Sequence, residues 1–256
     1  MAGRHLAAHP EVIMWAFYAF LTILLLPAAV VIAIYVSRIK FSRRLVAQTV
    51  AAQSCPERCR TNIVVAGDST AFGVGALPAE STAGRIAAMF PDARVVNVAR
   101  SGARIGHVVD QLDTLDFARA DLVLIHACAN DVVEFRSVKK VEVDLRAAIA
   151  KARSLSPNVI LMPGHNFSIA PFFLRPLSRV IMWHAVRVHA MIERVAAELG
   201  VIFVDLFKDP SEDPFFKEPK RYYCPDGLHP SAEGYALWFA TLVTQVPLTR
   251  IIGGSH

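Results

Sequence analysis

The apolar run Ile63-Val64-Val65-Ala66 breaks into Gly67-Asp68-Ser69-Thr70, which sets a hydroxyl beside a carboxylate and a glycine. Far along the chain, Cys224-Pro225-Asp226-Gly227-Leu228-His229-Pro230 places a carboxylate three residues before an imidazole. These residue types suit nucleophilic chemistry. A serine hydroxyl reacts poorly until an imidazole takes its proton, and a carboxylate on the other ring nitrogen fixes the tautomer that can do so. Ser69, His229 and Asp226 are the candidates for these roles. Acyl transfer also needs donors aimed at the oxyanion that develops. The backbone N–H groups of Ser69 and Gly102 and the side-chain amide of Asn130 would make three, and Gly102 has no side chain to block close approach.

Every one of these residues also has a structural reading. Gly-Asp-Ser is an ordinary helix-capping turn, a single histidine is more often packed than reactive, Gly102 fits a plain turn and Asn130 an Asx-turn. Their positions relative to the regular elements set them apart. Strand-like runs at Asn62 to Ala66, Arg94 to Val98, Leu122 to His126, Asn158 to Met162 and Val201 to Asp205 alternate with helical patterns. The helices fall around Ala79 to Met89, Ile105 to Leu115, Val138 to Ser154, Leu177 to Leu199 and Ser231 to Val243. Five strands in βα alternation predict an α/β fold with a doubly wound parallel sheet, whose ligands bind at the strands' carboxyl ends. The polar clusters fall at those ends: Gly67-Asp68-Ser69, Asn97 to Gly102, His126 to Asp131, and Asp226 to His229 before the last helix.

Together and in this order, the four clusters resemble the SGNH, or GDSL-type, hydrolase family over roughly Asn62 to Phe239. Gly67-Asp68-Ser69 matches the block with the serine nucleophile, Gly102 the glycine of the second block, Asn130-Asp131 the third, and Asp226-Gly227-Leu228-His229 the closing Asp-x-x-His. The resemblance implies a flavodoxin-like three-layer α/β/α sandwich, serine esterase chemistry without metal or cofactor, and an oxyanion hole from the Ser69 amide, the Gly102 amide and the Asn130 side chain. Two positions depart from the pattern. Thr70 replaces the namesake leucine, a side chain with no chemical task. Cys128 stands where the third block has glycine; if that position needs a positive φ, the substitution costs on the order of 1 kcal/mol or more.

The rest of the chain bears on where this chemistry happens. Of its 256 residues 54% are hydrophobic, and the mean hydropathy of +0.40 is high for a soluble domain. The excess lies in an uncharged run of 25 residues from Val12 to Val36, which at ~1.5 Å per residue exceeds the ~30 Å hydrocarbon core. A secretory signal has a shorter apolar region and a small-residue cleavage site, whereas this run ends in Ser37-Arg38-Ile39-Lys40. It reads as a transmembrane helix.

The expected organisation is an anchor over 1–37, with the spanning helix at about 12–36, a basic juxtamembrane linker over 38–60 with helical character from Phe41 to Gln53, and the hydrolase domain over 61–256. The net charge of +5 belongs wholly to Arg38, Lys40, Arg43, Arg44, Arg58 and Arg60 set against Glu57, so residues 61–256 are neutral. Anionic lipid and topology explain that cluster better than a nucleic-acid partner, and the positive-inside rule leans the domain to the cytoplasmic face without excluding the periplasmic or extracellular one. Cys55 and Cys59 lack a zinc spacing, though an oxidising compartment could pair them.

The expected function is therefore hydrolysis of a carboxylic ester through an acyl-enzyme on Ser69. Two loops rich in Phe and Tyr, 163–176 and 209–225, are either satellite cores or the walls of an acyl pocket. With the anchor they favour an acyl or lysophospholipid ester as substrate. A carbohydrate O-acetyl esterase is the alternative within the class, and a silent membrane-tethered binding module the alternative outside it. A flavin module is disfavoured, since the first loop puts Asp68 where a phosphate would sit.

Overall fold

A computed structural model describes residues 10–57, 59 and 61–253. The chain divides into two compact units, one up to Ser42 and one from Arg43 onward. The first helix, α1, runs Pro10–Gln48. It is longer than the sequence pattern suggests because no glycine or proline interrupts it after Pro27, so it continues through Arg38 to Arg44. The stretch Met14–Gln48 is long and apolar enough to cross a membrane, with a most apolar window of mean hydropathy 2.7, a description that a signal sequence also meets. Side chains such as Trp15 and Ile23 lie exposed along it.

Five parallel strands follow: β1 (Thr61–Gly67), β2 (Ala93–Asn97), β3 (Leu122–His126), β4 (Val159–Leu161) and β5 (Ile202–Phe203). Their order in the sheet is β2-β1-β3-β4-β5, so the chain reverses direction across the sheet between β1 and β3. This is the flavodoxin-like doubly wound order, and its switch point is where such sheets bind ligands. The register sets Val65 against Asn97 on one side and Gly67 against His126 on the other. β3 is buried throughout, as is β1 from Ile63 to its end, which explains why both read as unbroken apolar runs.

The helices within this second unit are α2 (Ser69–Phe72), α3 (Thr82–Met89), α4 (His107–Leu112), α5 (Ala129–Val133), α6 (Val138–Leu155), α7 (Leu177–Leu199), α8 (Pro214–Lys217), α9 (Pro219–Tyr222), α10 (Ala232–Gln245) and α11 (Leu248–Gly253). α4, α6 and α7 pack side by side, and α3 packs with α10. α6 buries Val141, Leu145, Ala148, Ile149 and Ala152 at helical spacing.

Several boundaries differ from the sequence reading. The segment from Ala79 splits into a short 3₁₀ turn at Pro78–Glu80 and α3, because the Ser81 hydroxyl caps α3 by accepting from Gly84 N at 3.1 Å. α10 begins one residue later than expected, because the Ser231 side chain caps it by accepting from Gly234 N, and it runs two residues further, to Gln245. Upstream of β1, Ser54 exchanges two backbone hydrogen bonds with Val95 (3.0 and 2.9 Å) and Gln53 exchanges two with the Asn97 backbone (2.8 and 3.1 Å). The aromatic loops are mostly satellite cores: Phe172, Phe173, Phe215 and Tyr223 are buried, while Phe216 is exposed.

Candidate active site

β1 delivers Ser69 through a tightly fitted turn. Gly67 has φ +148, and a Cβ placed on it would sit 1.9 Å from the His126 carbonyl oxygen, so only glycine lets β1 and β3 close at this level. The Gln111 side chain from α4 clamps the same residue, accepting from Gly67 N and donating to Gly67 O, both at 2.8 Å. Asp68 then caps α2: its Oδ1 accepts from Thr70 N (2.9 Å) and the Thr70 hydroxyl (2.7 Å), and its Oδ2 from Ala129 N (3.3 Å). Thr70 thus has a bond that the namesake leucine could not make. Burial pushes the Asp68 carboxyl up, and these donors pull it partly back.

Ser69 opens α2, almost buried, with its Oγ 3.0 Å from His229 Nε2. His229 Nδ1 lies 2.6 Å from Asp226 Oδ2. Asp226 Oδ1 accepts from Leu228 N (2.9 Å) and His229 N (3.0 Å), which folds Asp226 to His229 into one turn around the carboxylate. Burial would raise the Asp226 carboxyl, but the hydrogen bond and charge of His229 with the two amides outweigh it and hold the group below the ordinary carboxylate value. An ionised Asp226 keeps the Nδ1 proton in place and leaves Nε2 free to accept from Ser69. The three residues, 160 positions apart at their extremes, form one continuous line.

Gly102 stands on the neighbouring loop, exposed and with φ +79; a Cβ there would meet nothing, so the backbone conformation and not crowding calls for glycine. The Ala103 N to Arg100 O bond of 3.1 Å closes the four-residue turn in which Gly102 is third. Asn130 lies in the first turn of α5, and its Nδ2 donates to Ala103 O at 2.8 Å, one residue from Gly102. That bond uses one of the two amide protons and leaves the other for a ligand. Next to it, buried Asp131 accepts from Ile105 N (2.9 Å) and pairs with Arg136 (2.5 Å), fixing the same loop a second time.

Cys128 precedes α5 with φ +92, so it does hold the left-handed conformation natural to glycine. Burial, with Asp131 and Asp68 nearby, pushes its thiol well up, and burial with Asp226 nearby pushes the Cys224 thiol to about 12. Both stay protonated at neutral pH, so neither is poised as a thiolate nucleophile. Cys55 and Cys59 are also free. Among the described residues, no group of three or more His, Cys, Asp or Glu side chains could hold a metal ion.

Sequence reasoning missed the supports of the site. Gln111 reads as a surface residue of a short helix, and only the register of the sheet sets it opposite Gly67. Asn97, buried at the end of β2, donates to Ala71 O (2.8 Å) and accepts from Ala99 N (3.1 Å), tying α2 to the second loop; its place at a strand end was the available signal.

A doubly wound parallel sheet brings serine, histidine and aspartate into line at its carboxyl edge, the arrangement that serine hydrolase chemistry requires. The model of the GDSL-like lipase/acylhydrolase family matches residues 65–237, more than half of the chain, and the chain belongs to this family of ester-cleaving serine hydrolases. No curated protein matches the sequence. Among solved structures, a lipolytic protein of the G-D-S-L family from Veillonella parvula superposes with a TM-score of 0.58 at 17% identity, over 72% of this chain and 97% of its own. An extracellular lipase from Streptomyces rimosus gives 0.54 at 20% identity, over 73% and 100%. A phospholipase A1 from Streptomyces albidoflavus gives 0.54 at 18% identity, over 73% and 99%. At these identities the likeness establishes the fold.

Proposed function

We propose that Ser69 is the nucleophile of a membrane-anchored esterase that cleaves acyl esters, with lysophospholipid-like esters as the substrate class. The observation that carries the reading is the hydrogen-bonded line from Ser69 Oγ to His229 Nε2 (3.0 Å) and from His229 Nδ1 to Asp226 (2.6 Å). Ser69 Oγ attacks the ester carbonyl while His229 Nε2 takes its proton; the imidazolium, steadied by Asp226, returns that proton to the leaving alkoxide. The acyl group stays on Ser69 until a water, deprotonated by His229, releases it as the acid. The Ser69 and Gly102 amides and the second Asn130 amide proton stabilise the oxyanion in both halves.

The substrate class is supported by α1, which could hold the domain at a bilayer, and by a fold shared with a lipase and a phospholipase A1. In this organisation residues 1–37 are the anchor, 38–60 the basic juxtamembrane segment and 61–256 the hydrolase domain. Arg38, Lys40, Arg43 and Arg44 favour the cytoplasmic side. A fluorophosphonate should label the parent chain and fail on Ser69→Ala, which should also lose turnover of a short-chain aryl ester. Unchanged turnover refutes the assignment. A series of acyl chains from acetyl to palmitoyl tests the substrate class: preference for acetyl would instead favour a carbohydrate O-acetyl esterase.

A further inference from the structure

The outward side of α7 changes character halfway along. Beyond Ala190 it carries Arg194, which bonds Glu198 (2.6 Å) and Glu142 (2.7 Å), and Arg146 of α6 bridges the same two acids. That is a solvated ion-pair lattice of the kind expected on an outer helix face. Before Ala190 the same side carries Val180, Trp183 and Val186, which are 50, 61 and 48% exposed, interleaved with exposed Arg179 and Arg187. No acidic residue occurs from Leu177 to Ile192. Among the described residues, Arg175, Arg179 and Arg187 have no carboxylate partner; the Arg187 guanidinium lies over the Trp183 ring at 4.5 Å. Single exposed apolar residues are ordinary, but a tryptophan between two valines, flanked by unpaired arginines on one helix stripe, is the pattern of a helix lying at a lipid interface.

The stripe is also well placed. α7 follows β4, so its first half lies toward the carboxyl edge of the sheet, where Ser69 and His229 stand. Between stripe and site runs the loop before α7, whose Phe172 N donates to Gly227 O at 2.8 Å, inside the turn that holds Asp226 and His229. An open cavity of about 450 Å³ sits there, lined among others by Ile169, Phe173, Arg175, Arg179, Met182 and exposed Phe216. We propose that the N-terminal half of α7 is a docking face for an anionic lipid bilayer, which sets the edge of the site at the membrane surface.

A second copy of the chain is a poorer occupant, because two such faces would oppose arginine to arginine. Nucleic acid would not reward Val180 and Val186. The same chain carries a helix long and apolar enough to cross a membrane, which as the proposed anchor would bring the domain to a bilayer. The inference deepens the lipid-ester reading and rests on it for its hydrolytic consequence; the docking itself does not.

The test uses the full chain reconstituted in vesicles, with Trp15→Phe so that only Trp183 and the buried Trp238 emit. Brominated phosphatidylcholine should quench Trp183 strongly in vesicles rich in phosphatidylglycerol and weakly in pure phosphatidylcholine, with Trp15→Phe/Trp183→Phe giving the Trp238 background. Each of Arg175→Gln, Arg179→Gln and Arg187→Gln should weaken docking roughly five-fold. Trp183→Ser should leave hydrolysis of a soluble short-chain ester unchanged and slow that of a bilayer-borne lysophospholipid roughly ten-fold. Trp183 unquenched in both lipid mixtures overturns the proposal, as does a dimer that Trp183→Ser dissociates, which would give the face to a second copy. A parent chain that cleaves no ester refutes the esterase reading alone, and the quenching result still decides the docking.

Discussion

Lowering the pH should unfold the second unit well before its surface charges would account for it, and the cause is a pair of histidines the chemistry does not use. His126, at the end of β3, is fully buried, and among the described residues neither ring nitrogen has a hydrogen-bond partner. His165 is buried beside it, with Nε2 2.7 Å from the Tyr223 hydroxyl and the ring stacked on Phe215. Burial lowers both imidazoles from 6.5 to about 3, His126 adding a repulsive contribution at His165. Above pH 6.5 both are neutral whether the chain is folded or not, and they leave stability unchanged. Below it the unfolded chain takes up protons that the folded one refuses, so stability falls with pH by a little over 1 kcal/mol per unit for each imidazole until about pH 3.

By pH 4 His126 alone should have removed about 3 kcal/mol, a large part of the ~5–15 kcal/mol that holds a typical domain folded. His126→Leu isolates the effect, because among the described residues it loses no side-chain hydrogen bond, and the ring contact it gives up is the edge contact with Trp238 at 5.3 Å. Urea unfolding of the full chain in a nonionic detergent, followed by near-UV circular dichroism, should find parent and variant within about 1 kcal/mol at pH 8 and the variant ahead by about 3 kcal/mol at pH 4. Parallel curves from pH 8 to 4 would refute the reasoning, and so would an NMR titration of His126 with its midpoint above 5.

Other perturbations test the scaffold and the site separately. Gly67→Ala forces a methyl group into the His126 carbonyl, so β1 and β3 must separate and Gln111 must lose its hold; a loss of roughly 3 kcal/mol or more in urea is expected, and one below about 1 kcal/mol would contradict the fit. Asn130→Ala should lower kcat about 100–1,000-fold while changing stability by no more than about 2 kcal/mol. An unchanged kcat would remove Asn130 from the oxyanion hole and leave only its bond to Ala103. Iodoacetamide at neutral pH should spare the activity, since Cys128 and Cys224 are held as buried thiols; inactivation traced to either would show a thiolate the structure does not support. Cys128→Gly should change stability by no more than about 1 kcal/mol, because relief of the left-handed backbone offsets the lost burial.

Much of the fold was legible because its signals are local. β1 and β3 are buried on both faces and read as apolar runs, and α7 was read to both ends because Pro176 precedes it and Gly200, at φ +60, caps it. The order of polar clusters after the strands pointed to Ser69, Gly102, Asn130, Asp226 and His229, which the fold gathers at one sheet edge. What the sequence concealed depends on register and on pairings across the chain. Nothing local distinguishes Gln111 from a solvent-facing glutamine, or says that Asn130 is bonded to the loop of Gly102. β5 shrank to two residues because its partner β4 has only three. The positive φ of Cys128 could be posed as a question from the missing glycine, but only the backbone answers it.

The short pairing of Gln53 and Ser54 with β2 has a practical meaning for anyone who removes α1. β2 is the outermost strand on that side of the sheet, and its free backbone groups would invite another chain to add a strand. Residues 53 and 54 occupy part of that edge, and Ala52 beside them is buried. A soluble piece cut at Thr61, where the regular sheet begins, would strip this cover and offer β2 as a template for aggregation. One cut just after Gln48 keeps that part of the edge covered by the chain's own residues.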